Sequence, residues 1–327
     1  MRVVRTVTQE LDTPWGLAPL PDGDLLVSSN NEATITRVDA DNGRKTEAGT
    51  VPGVDPEAEG GLLGLALSPG FTRDHLVYAY LTTASDNRVL RMRYDTARPA
   101  GGQLSRPETV LDGIPSDQYH NGGRIAFGPD GMLYASTGET WDKPLAQDRD
   151  SLGGKILRLT PEGRPAPGNP DPGSPVHSSG HRNPQGLAWD GEGRLWAAEF
   201  GQDTWDELNL IRPGRNYGWP EVEGRADRAG YTDPVAQWRP ADASPSGIAY
   251  AEGAIWMASL RGERLWRIPL DGAKVAGRPR AALEGDYGRL RTVVAAGDGR
   301  LWLTTSNTDG RISPKDGDDR ILLVDVS

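Results

Sequence analysis

One short stretch of this sequence reads as a β-hairpin: Gly123-Arg124-Ile125-Ala126-Phe127-Gly128-Pro129-Asp130-Gly131-Met132-Leu133-Tyr134-Ala135-Ser136-Thr137. An apolar strand with glycine at its entry, 123–126, is followed by Pro-Asp-Gly and by a second strand, 132–137. Asp-Gly supplies the positive φ that a tight hairpin turn requires. A third strand is predicted over Lys155–Leu159, so the unit contains three strands that follow one another along the chain.

This three-strand unit occurs six times, at intervals of roughly 45 to 60 residues, a length that suits one propeller blade. The first strands of the other five units begin at Trp15, Leu63, Gln185, Ser246 and Arg291. Their second strands are predicted over 24–29, 75–81, 194–199, 254–259 and 300–305. Their third strands are predicted near 35–39, 89–95, 207–211, 264–270 and 320–326.

The repeat predicts an all-β chain, a six-bladed β-propeller of four-stranded antiparallel blades in a single domain, residues 1–327. We expect the ring to close by pairing Val3–Thr8 with Ile321–Val326 in one blade, which would protect both sheet edges. A β-sandwich or two smaller barrels are the alternatives. Neither gives a reason for six similar units.

Composition argues against several classes of protein and excludes several kinds of site. The formal net charge of -10 argues against a general nucleic-acid binder, and no apolar run approaches the roughly 20 residues of a membrane span. The absence of cysteine excludes disulfides, thiolate metal sites and a cysteine nucleophile. The start, Met1–Arg5, lacks a signal-peptide apolar core. We expect an extracellular or periplasmic protein whose leader has been removed, with the cytoplasm as the alternative.

Candidate chemistry lies in the loops that lead into the inner strands. His120 precedes one inner strand, where an imidazole can accept a proton near neutral pH. Arg182 and Asn183 precede another, and Arg182 could bind a carboxylate or stabilise developing negative charge. Both could instead hydrogen-bond only to loop backbone. Carboxylates and carbonyls over 199–207 and 216–227 suit calcium, although no EF-hand loop is present.

Taken together, several segments resemble the soluble glucose and aldose sugar dehydrogenases, which are quinoproteins. The matching segments are 59–64 (Glu-Gly-Gly-Leu-Leu-Gly), 120–124 (His-Asn-Gly-Gly-Arg), 152–159 (Leu-Gly-Gly-Lys-Ile-Leu-Arg-Leu), 180–186 (Gly-His-Arg-Asn-Pro-Gln-Gly) and 214–220 (Gly-Arg-Asn-Tyr-Gly-Trp-Pro). They occur in the family's order and span most of the chain. The chain is similar to the shorter aldose sugar dehydrogenases, without the large insertions of the glucose enzymes.

The resemblance implies a six-bladed propeller that binds pyrroloquinoline quinone (PQQ) and calcium and oxidises C1 of aldoses to lactones. His120 would remove the proton of the anomeric hydroxyl while hydride passes from C1 to C5 of the quinone. Arg182 and Asn183 would contact the reacting edge of the cofactor, with Arg182 near the developing anionic oxygen. An external quinone or cytochrome would take the electrons.

The resemblance also implies the remaining ligands. Glu59, Trp238, Arg261, Arg289, Arg291 and Asn307 would contact PQQ, with Trp238 stacking on its plane. The carbonyls of Gly201 and Gln202 would bind the calcium that bridges to PQQ and polarises its carbonyl. A second, structural calcium would use the side chains of Glu207 and Asp227 with the carbonyls of Tyr217, Glu223 and Arg225.

This chain departs from the family pattern at four of these positions. Glu59 stands where the glucose enzymes have glutamine, Gln202 replaces a proline, and Arg261 replaces a lysine, which keeps the charge but changes its reach. Asn307 stands where an acid would be expected.

Two other function classes stay open: a calcium-dependent propeller hydrolase acting on lactones, and a non-enzymatic binding propeller. Lactone hydrolysis without PQQ would favour the first, and tight binding without turnover the second. We expect a monomer or weak dimer with an aldose as its partner.

Overall fold

The computed structural model describes residues 1–327 and contains six small antiparallel sheets arranged as the blades of a ring. The N-terminal strand is β1 (Arg2–Thr8). Blade 1 contains β2 (Pro14–Pro19), β3 (Leu25–Ser29), β4 (Thr34–Val38) and β5 (Lys45–Thr50). Blade 2 contains β6 (Leu62–Leu67), β7 (Leu76–Thr82), β8 (Asn87–Arg93) and β9 (Glu108–Ile114). Blade 3 contains β10 (Ile125–Phe127), β11 (Leu133–Ser136), β12 (Lys155–Leu159) and β13 (Val176–Ser179).

The other three blades complete the ring. Blade 4 contains β14 (Asn183–Trp189), β15 (Leu195–Phe200), β16 (Asp206–Ile211) and β17 (Ala236–Trp238). Blade 5 contains β18 (Pro245–Ala251), β19 (Ala254–Ser259), β20 (Arg264–Asp271), β21 (Lys274–Val275) and β22 (Arg280–Ala282). Blade 6 contains β23 (Leu290–Gly297), β24 (Arg300–Thr305), β25 (Ile321–Asp325) and β1. One helical turn, α1 (Phe71–Asp74), and one 3₁₀ turn, Lys143–Ala146, are the helical elements.

The prediction of a six-bladed all-β propeller is confirmed. The predicted closure is confirmed as well, because β1 pairs antiparallel with β25, Val3 opposite Val324 and Thr8 opposite Ile321. Several strand boundaries differ from the predicted ones by one or two residues. For example, β7 begins at Leu76, since His75 takes a left-handed conformation at φ 54° and ends α1. The outer edge of blade 5 is divided between two short strands, β21 and β22, which the repeat did not predict.

The hydrophobic core lies between the blades rather than at the centre of the ring. Six buried clusters occur, and each joins residues of neighbouring blades. The glycines that recur in the inner strands follow from this packing. A Cβ at Gly64 would lie 2.3 Å from the carbonyl oxygen of Gly123, and one at Gly186 would lie 2.4 Å from that of Ser246. Glycine at this position therefore lets adjacent inner strands approach closely around the channel.

No helix of the structure is long and apolar enough to cross a membrane.

In each blade the first strand enters from the rim where its second strand ends, because the two are antiparallel. The loops before the first strands and after the second strands therefore meet on one face of the ring. The candidate residues of the sequence analysis fall mostly in these loops, so the fold places them at one end of the channel.

Candidate active site

A polar cavity of about 550 Å³ opens on this face at the mouth of the channel. Seven of the predicted site residues line it: Glu59, Arg182, Gly201, Gln202, Arg261, Arg289 and Arg291. Five arginines in all reach its wall, because Arg311 joins the four that the sequence singled out. Four acids line it as well, so the cationic groups outnumber the acidic ones only slightly, and the arginines are the groups that could bind the carboxylates of a ligand.

His120 lies beside this cavity, buried and hydrogen-bonded on both ring nitrogens. Its Nδ1 lies 2.6 Å from Oε1 of Glu139, and its Nε2 lies 3.0 Å from Nη2 of Arg182. A carboxylate only accepts a hydrogen bond and a guanidinium only donates, so Nδ1 carries the proton and the lone pair of Nε2 accepts from Arg182. This tautomer is the one that a general base requires.

Arg182 bridges the histidine and the opposite loop. Its Nη1 donates to the carbonyl of Gly201 at 2.7 Å, while its Nε is buried and has no partner. Burial lowers the pKa of Arg182, and the carboxylates of Glu139 and Glu223 oppose that shift. The guanidinium of Arg182 is thus a largely desolvated cation beside Nε2 of His120. The N–H of its own Nε has no acceptor.

The backbone around His120 holds the ring in this position. His120 has a left-handed φ of 56°, which non-glycine residues adopt rarely and mostly at functional sites. A Cβ at Gly138 would lie 1.7 Å from the carbonyl oxygen of His120, so only glycine lets the two loops approach. Asn183 is buried behind them, and its Oδ1 accepts from the N–H of Gly122 at 3.0 Å. In this structure Asn183 therefore supports the loop of the histidine and does not line the cavity.

The paired arginines share one acid that the sequence analysis missed. Asp309 Oδ2 accepts from Arg289 Nη2 at 2.9 Å and lies 3.4 Å from Arg291 Nη2. Asn307, which stands where an acid was expected, instead accepts from the backbone N–H of Arg289 at 2.8 Å. An acid does pair with these two arginines, but it is Asp309, two residues after Asn307. Arg261 is exposed in the cavity and makes no hydrogen bond or ion pair with the protein.

Two of the predicted metal-binding carbonyls, those of Gly201 and Gln202, belong to a tight loop at the cavity wall. Oε1 of Glu223 accepts from four consecutive backbone N–H groups of this loop, from Gln202 at 2.7 Å to Trp205 at 3.1 Å. Asp206 also lines the cavity, and burial raises its pKa to about 6. The loop is therefore fixed by carboxylates that receive its N–H groups, which leaves its carbonyls to face outward or toward Arg182.

The other predicted metal ligands are spread over a wider region. Glu207 is buried, and Asn209 donates to both Glu207 Oε2 and Glu199 Oε1, at 3.0 and 2.9 Å. Burial and the charge of Glu199 raise the pKa of Glu207 to about 8. Oδ1 of Asn209 is buried without a partner. No lysine or arginine side chain contacts the carboxylate oxygens of Glu207 and Glu199 or Oδ1 of Asn209.

Tyr217, Arg225 and Asp227 complete the predicted set. Tyr217 is buried, and its hydroxyl donates to the carbonyl of Leu210 at 2.6 Å. The atom of Tyr217 that was predicted to bind calcium is its backbone carbonyl oxygen. Arg225 and Asp227 are exposed in the loop that follows Gly224. The N–H of Gly224 donates to Glu207 Oε1 at 2.7 Å and ties this loop to the buried carboxylate.

Trp238 does not reach the cavity. It is buried in the core between blades 4 and 5, where its ring lies 5.9 Å from that of Trp266. Trp15 lines the cavity instead, with the guanidinium of Arg291 5.8 Å from its ring centre. The prediction of Trp238 as the stacking residue rested on the family resemblance and on residue type, and the direction of this side chain cannot be inferred from those.

Glu139 is the most important residue that sequence reasoning missed, and a signal for it exists. In blade 4, His181 Nδ1 lies 2.8 Å from Oε1 of Glu199, at a spacing of 18 residues. His120 and Glu139 repeat this arrangement in blade 3 at a spacing of 19. An acid at or just beyond the end of the second strand therefore pairs with a histidine before the first strand, which a comparison of the two blades could have found.

The chain is similar to known proteins over most of its length. Residues 11–314 match the family model described as glucose/sorbosone dehydrogenase. An aldose sugar dehydrogenase of Escherichia coli K12 is 29% identical over 95% of this chain and 93% of the relative.

Solved structures resemble the chain along its full length. The PQQ-bound form of an aldose sugar dehydrogenase from Streptomyces coelicolor is 68% identical, with a TM-score of 0.99 over 100% of this chain and 98% of that one. A putative oxidoreductase (glucose dehydrogenase) from Thermus thermophilus is 46% identical, with a TM-score of 0.90 over 99% of both chains.

Proposed function

The chain belongs to the glucose/sorbosone dehydrogenase family, and we propose that it oxidises the C1 hydroxyl of aldose sugars to lactones with PQQ and calcium. The observation that carries this proposal is the pair formed by His120 and Arg182. Nε2 of His120 is held as a proton acceptor 3.0 Å from a half-buried cation, at the edge of a cavity lined by five arginines. Electrons would pass to an external quinone or cytochrome.

The residues present fit PQQ. The cofactor carries three carboxylates, and the cavity offers an unpaired guanidinium in Arg261, an unused Nε on Arg182 and the pair Arg289 and Arg291. Charge-assisted hydrogen bonds from such groups are the strong ones. We assign the cofactor contacts to these four arginines with Glu59 at the rim, while Asn183 and Asn307 position the loops. The PQQ-bound relative from Streptomyces coelicolor supports the binding of PQQ itself.

This chain's own residues would then perform the proton transfer. Nε2 of His120 takes the proton of the C1 hydroxyl, and Glu139 stabilises the imidazolium that forms. Arg182 stabilises the negative charge that develops at the sugar oxygen and at the cofactor edge. Bound PQQ supplies the acceptor for the hydride that leaves C1, which completes the two-electron oxidation to the lactone.

The residues present also fit calcium. Carboxylates and neutral carbonyl oxygens are the ligands that calcium takes in proteins. Glu207 and the unpartnered Oδ1 of Asn209 are oxygens of this kind. Gly201 and Gln202 line the cavity, and calcium at the carbonyl of Gly201 would have to displace the guanidinium of Arg182, which donates to it at 2.7 Å. A calcium there supplies Lewis-acid polarisation of a bound carbonyl.

Reconstitution tests the proposed function. The purified protein is loaded with PQQ and calcium, an aldose is added, and reduction of an artificial acceptor dye is followed. We expect dye reduction that requires both PQQ and sugar, with one lactone formed per two electrons. Dye that stays oxidised, together with no spectral sign of bound PQQ, would defeat the proposal. Hydrolysis of an added lactone without PQQ would instead favour a hydrolase.

We predict that Glu139→Gln lowers kcat about 100-fold while leaving KM and PQQ affinity nearly unchanged. The amide can donate to Nδ1 and so place the ring proton on Nε2, and it cannot compensate the charge of the imidazolium. Glu139→Asp keeps the charge and should recover part of the rate. Steady-state kinetics with a PQQ titration of each variant measures this. Equal loss in the Gln and Asp variants would point to a purely structural role.

We predict that calcium raises the melting temperature of the protein, by about 5 °C at saturation, and that Glu207→Gln removes most of this increment. Without a cation the pKa of Glu207 is about 8, against 4.5 for an ordinary carboxyl. Folding then takes up a proton between these values, so the unfolding free energy falls as pH rises from about 4.5 to 8. Calcium replaces that proton, and the increment should be larger at high pH than at pH 6.

Thermal melts in calcium and in EDTA, at several pH values, measure this effect. Glu221→Gln is the matched control, because Glu221 is an exposed acid close to the same loop. An increment that persists unchanged in Glu207→Gln would remove Glu207 from the calcium site.

A further inference from the structure

A second cavity, which we call the lower funnel, opens on the opposite face of the ring. It has a volume of about 410 Å³, and each of the six inner strands contributes consecutive residues to its wall. Seventeen of its twenty lining residues are apolar, among them Leu17, Ile125 and Trp189. The volume lies in the range of small-molecule sites. The lower funnel contains none of the residues assigned to sugar oxidation.

Arg124 is the one charged residue that lines the lower funnel. It enters from the start of β10 and is 8% exposed. Its Nε donates to the carbonyl of Gln185 at 2.8 Å, and its Nη2 donates to Oγ1 of Thr292 at 3.0 Å. Its third nitrogen, Nη1, has no protein partner, and no carboxylate forms an ion pair with it. The guanidinium lies 4.3 Å from the ring centre of Trp15, which separates it from the upper cavity's wall.

A buried cation without a counter-charge is costly, because its transfer from water is compensated only by pairing and hydrogen bonding. Burial, and then the charge of Arg291, lower the pKa of Arg124 to about 9, so it stays protonated at neutral pH. Two of its nitrogens are satisfied by neutral acceptors only. An anion that reached Nη1 through the lower funnel would satisfy the remaining donor and neutralise the charge.

The walls restrict what that anion can be. They offer no second cation, so a dianion such as inorganic phosphate would carry an uncompensated charge into an apolar site. An anion without an apolar body would leave the walls in contact with water. We propose that the lower funnel binds a small monocarboxylate with an apolar body, its carboxylate on Arg124 and its hydrocarbon part against the six inner strands.

Octanoate binding to the protein as purified, without PQQ or sugar, tests this proposal by isothermal titration calorimetry. We expect one saturable site per chain. Binding of 1-octanol, which has the same body without the charge, and of acetate, which has the charge without the body, should each be at least about ten-fold weaker. Because no cofactor is needed, failure here leaves the proposed sugar oxidation untouched, and failure of that activity leaves this site untouched.

Two variants make the test specific. Arg124→Gln should weaken octanoate binding at least about 20-fold, whereas Arg124→Lys should keep most of it. Ala126→Leu should weaken it by filling the lower funnel, since Ala126 is a half-buried wall residue outside the core clusters. This variant decides the matter if Arg124→Gln fails to fold. Absence of saturable binding, equal binding of octanol or of acetate, or unchanged binding in Ala126→Leu would overturn the proposal.

Discussion

The His120→Asn protein should lose about 1000-fold or more in kcat for aldose oxidation while still binding PQQ. The change removes Nε2, the proton acceptor whose tautomer Glu139 and Arg182 set. A loss of this size corresponds to about 4 kcal/mol of transition-state stabilisation. Asparagine is chosen because His120 has a φ of 56°, a conformation that Asn tolerates better than most residues.

His75→Asn is the matched control for this variant. His75 also has a left-handed φ, of 54°. It is exposed at the end of α1 and does not line the polar cavity. Single-turnover reduction of the bound cofactor by glucose, with melting curves for both variants, separates chemistry from folding. Near-normal turnover in His120→Asn would remove His120 from the role of base and leave the proton transfer unexplained.

Arg182→Gln should lower kcat by about 100- to 1000-fold, since removal of one preorganised donor at a site of developing charge typically has this effect. Arg182 donates to two acceptors at once, the carbonyl of Gly201 at 2.7 Å and Nε2 of His120 at 3.0 Å. Lysine cannot form this fork, so Arg182→Lys should recover little of the rate although it keeps the charge.

Steady-state kinetics with a PQQ titration measures the effect, and Arg215→Gln is the control. Arg215 is an exposed arginine whose side chain makes no hydrogen bond to the protein. Full activity in Arg182→Lys would mean that only the charge matters. Full activity in Arg182→Gln would contradict the assigned role altogether.

The fold could be predicted because each blade repeats the same local physics. Pro-Asp-Gly turns such as 129–131 set the hairpins, and glycines such as Gly64 and Gly186 allow the inner strands to approach. Apolar residues between them fill the six clusters between blades. The short strands β21 and β22 could not be predicted, because edge strands carry few apolar residues and their pairing depends on tertiary contacts.

The site could be predicted only to the level of loops. Position before an inner strand places a residue at the correct end of the channel, which sufficed for Arg182, whereas Arg291 was predicted from the family resemblance. It does not give the direction of the side chain, so Trp238 was assigned to the cofactor although its ring lies in the core. Glu139 and Asp309 were missed because their roles depend on contacts between segments that are distant in sequence.

The most direct measurement is a crystal structure of the protein soaked with PQQ and calcium. The account predicts planar density for the cofactor in the upper cavity, its carboxylates bonded to Arg261, Arg289 and Arg291, and its reacting edge against Arg182, on the side of the cavity where His120 lies. Density for PQQ elsewhere on the ring, or a cofactor plane that leaves His120 out of reach of a sugar bound above it, would contradict the assignment.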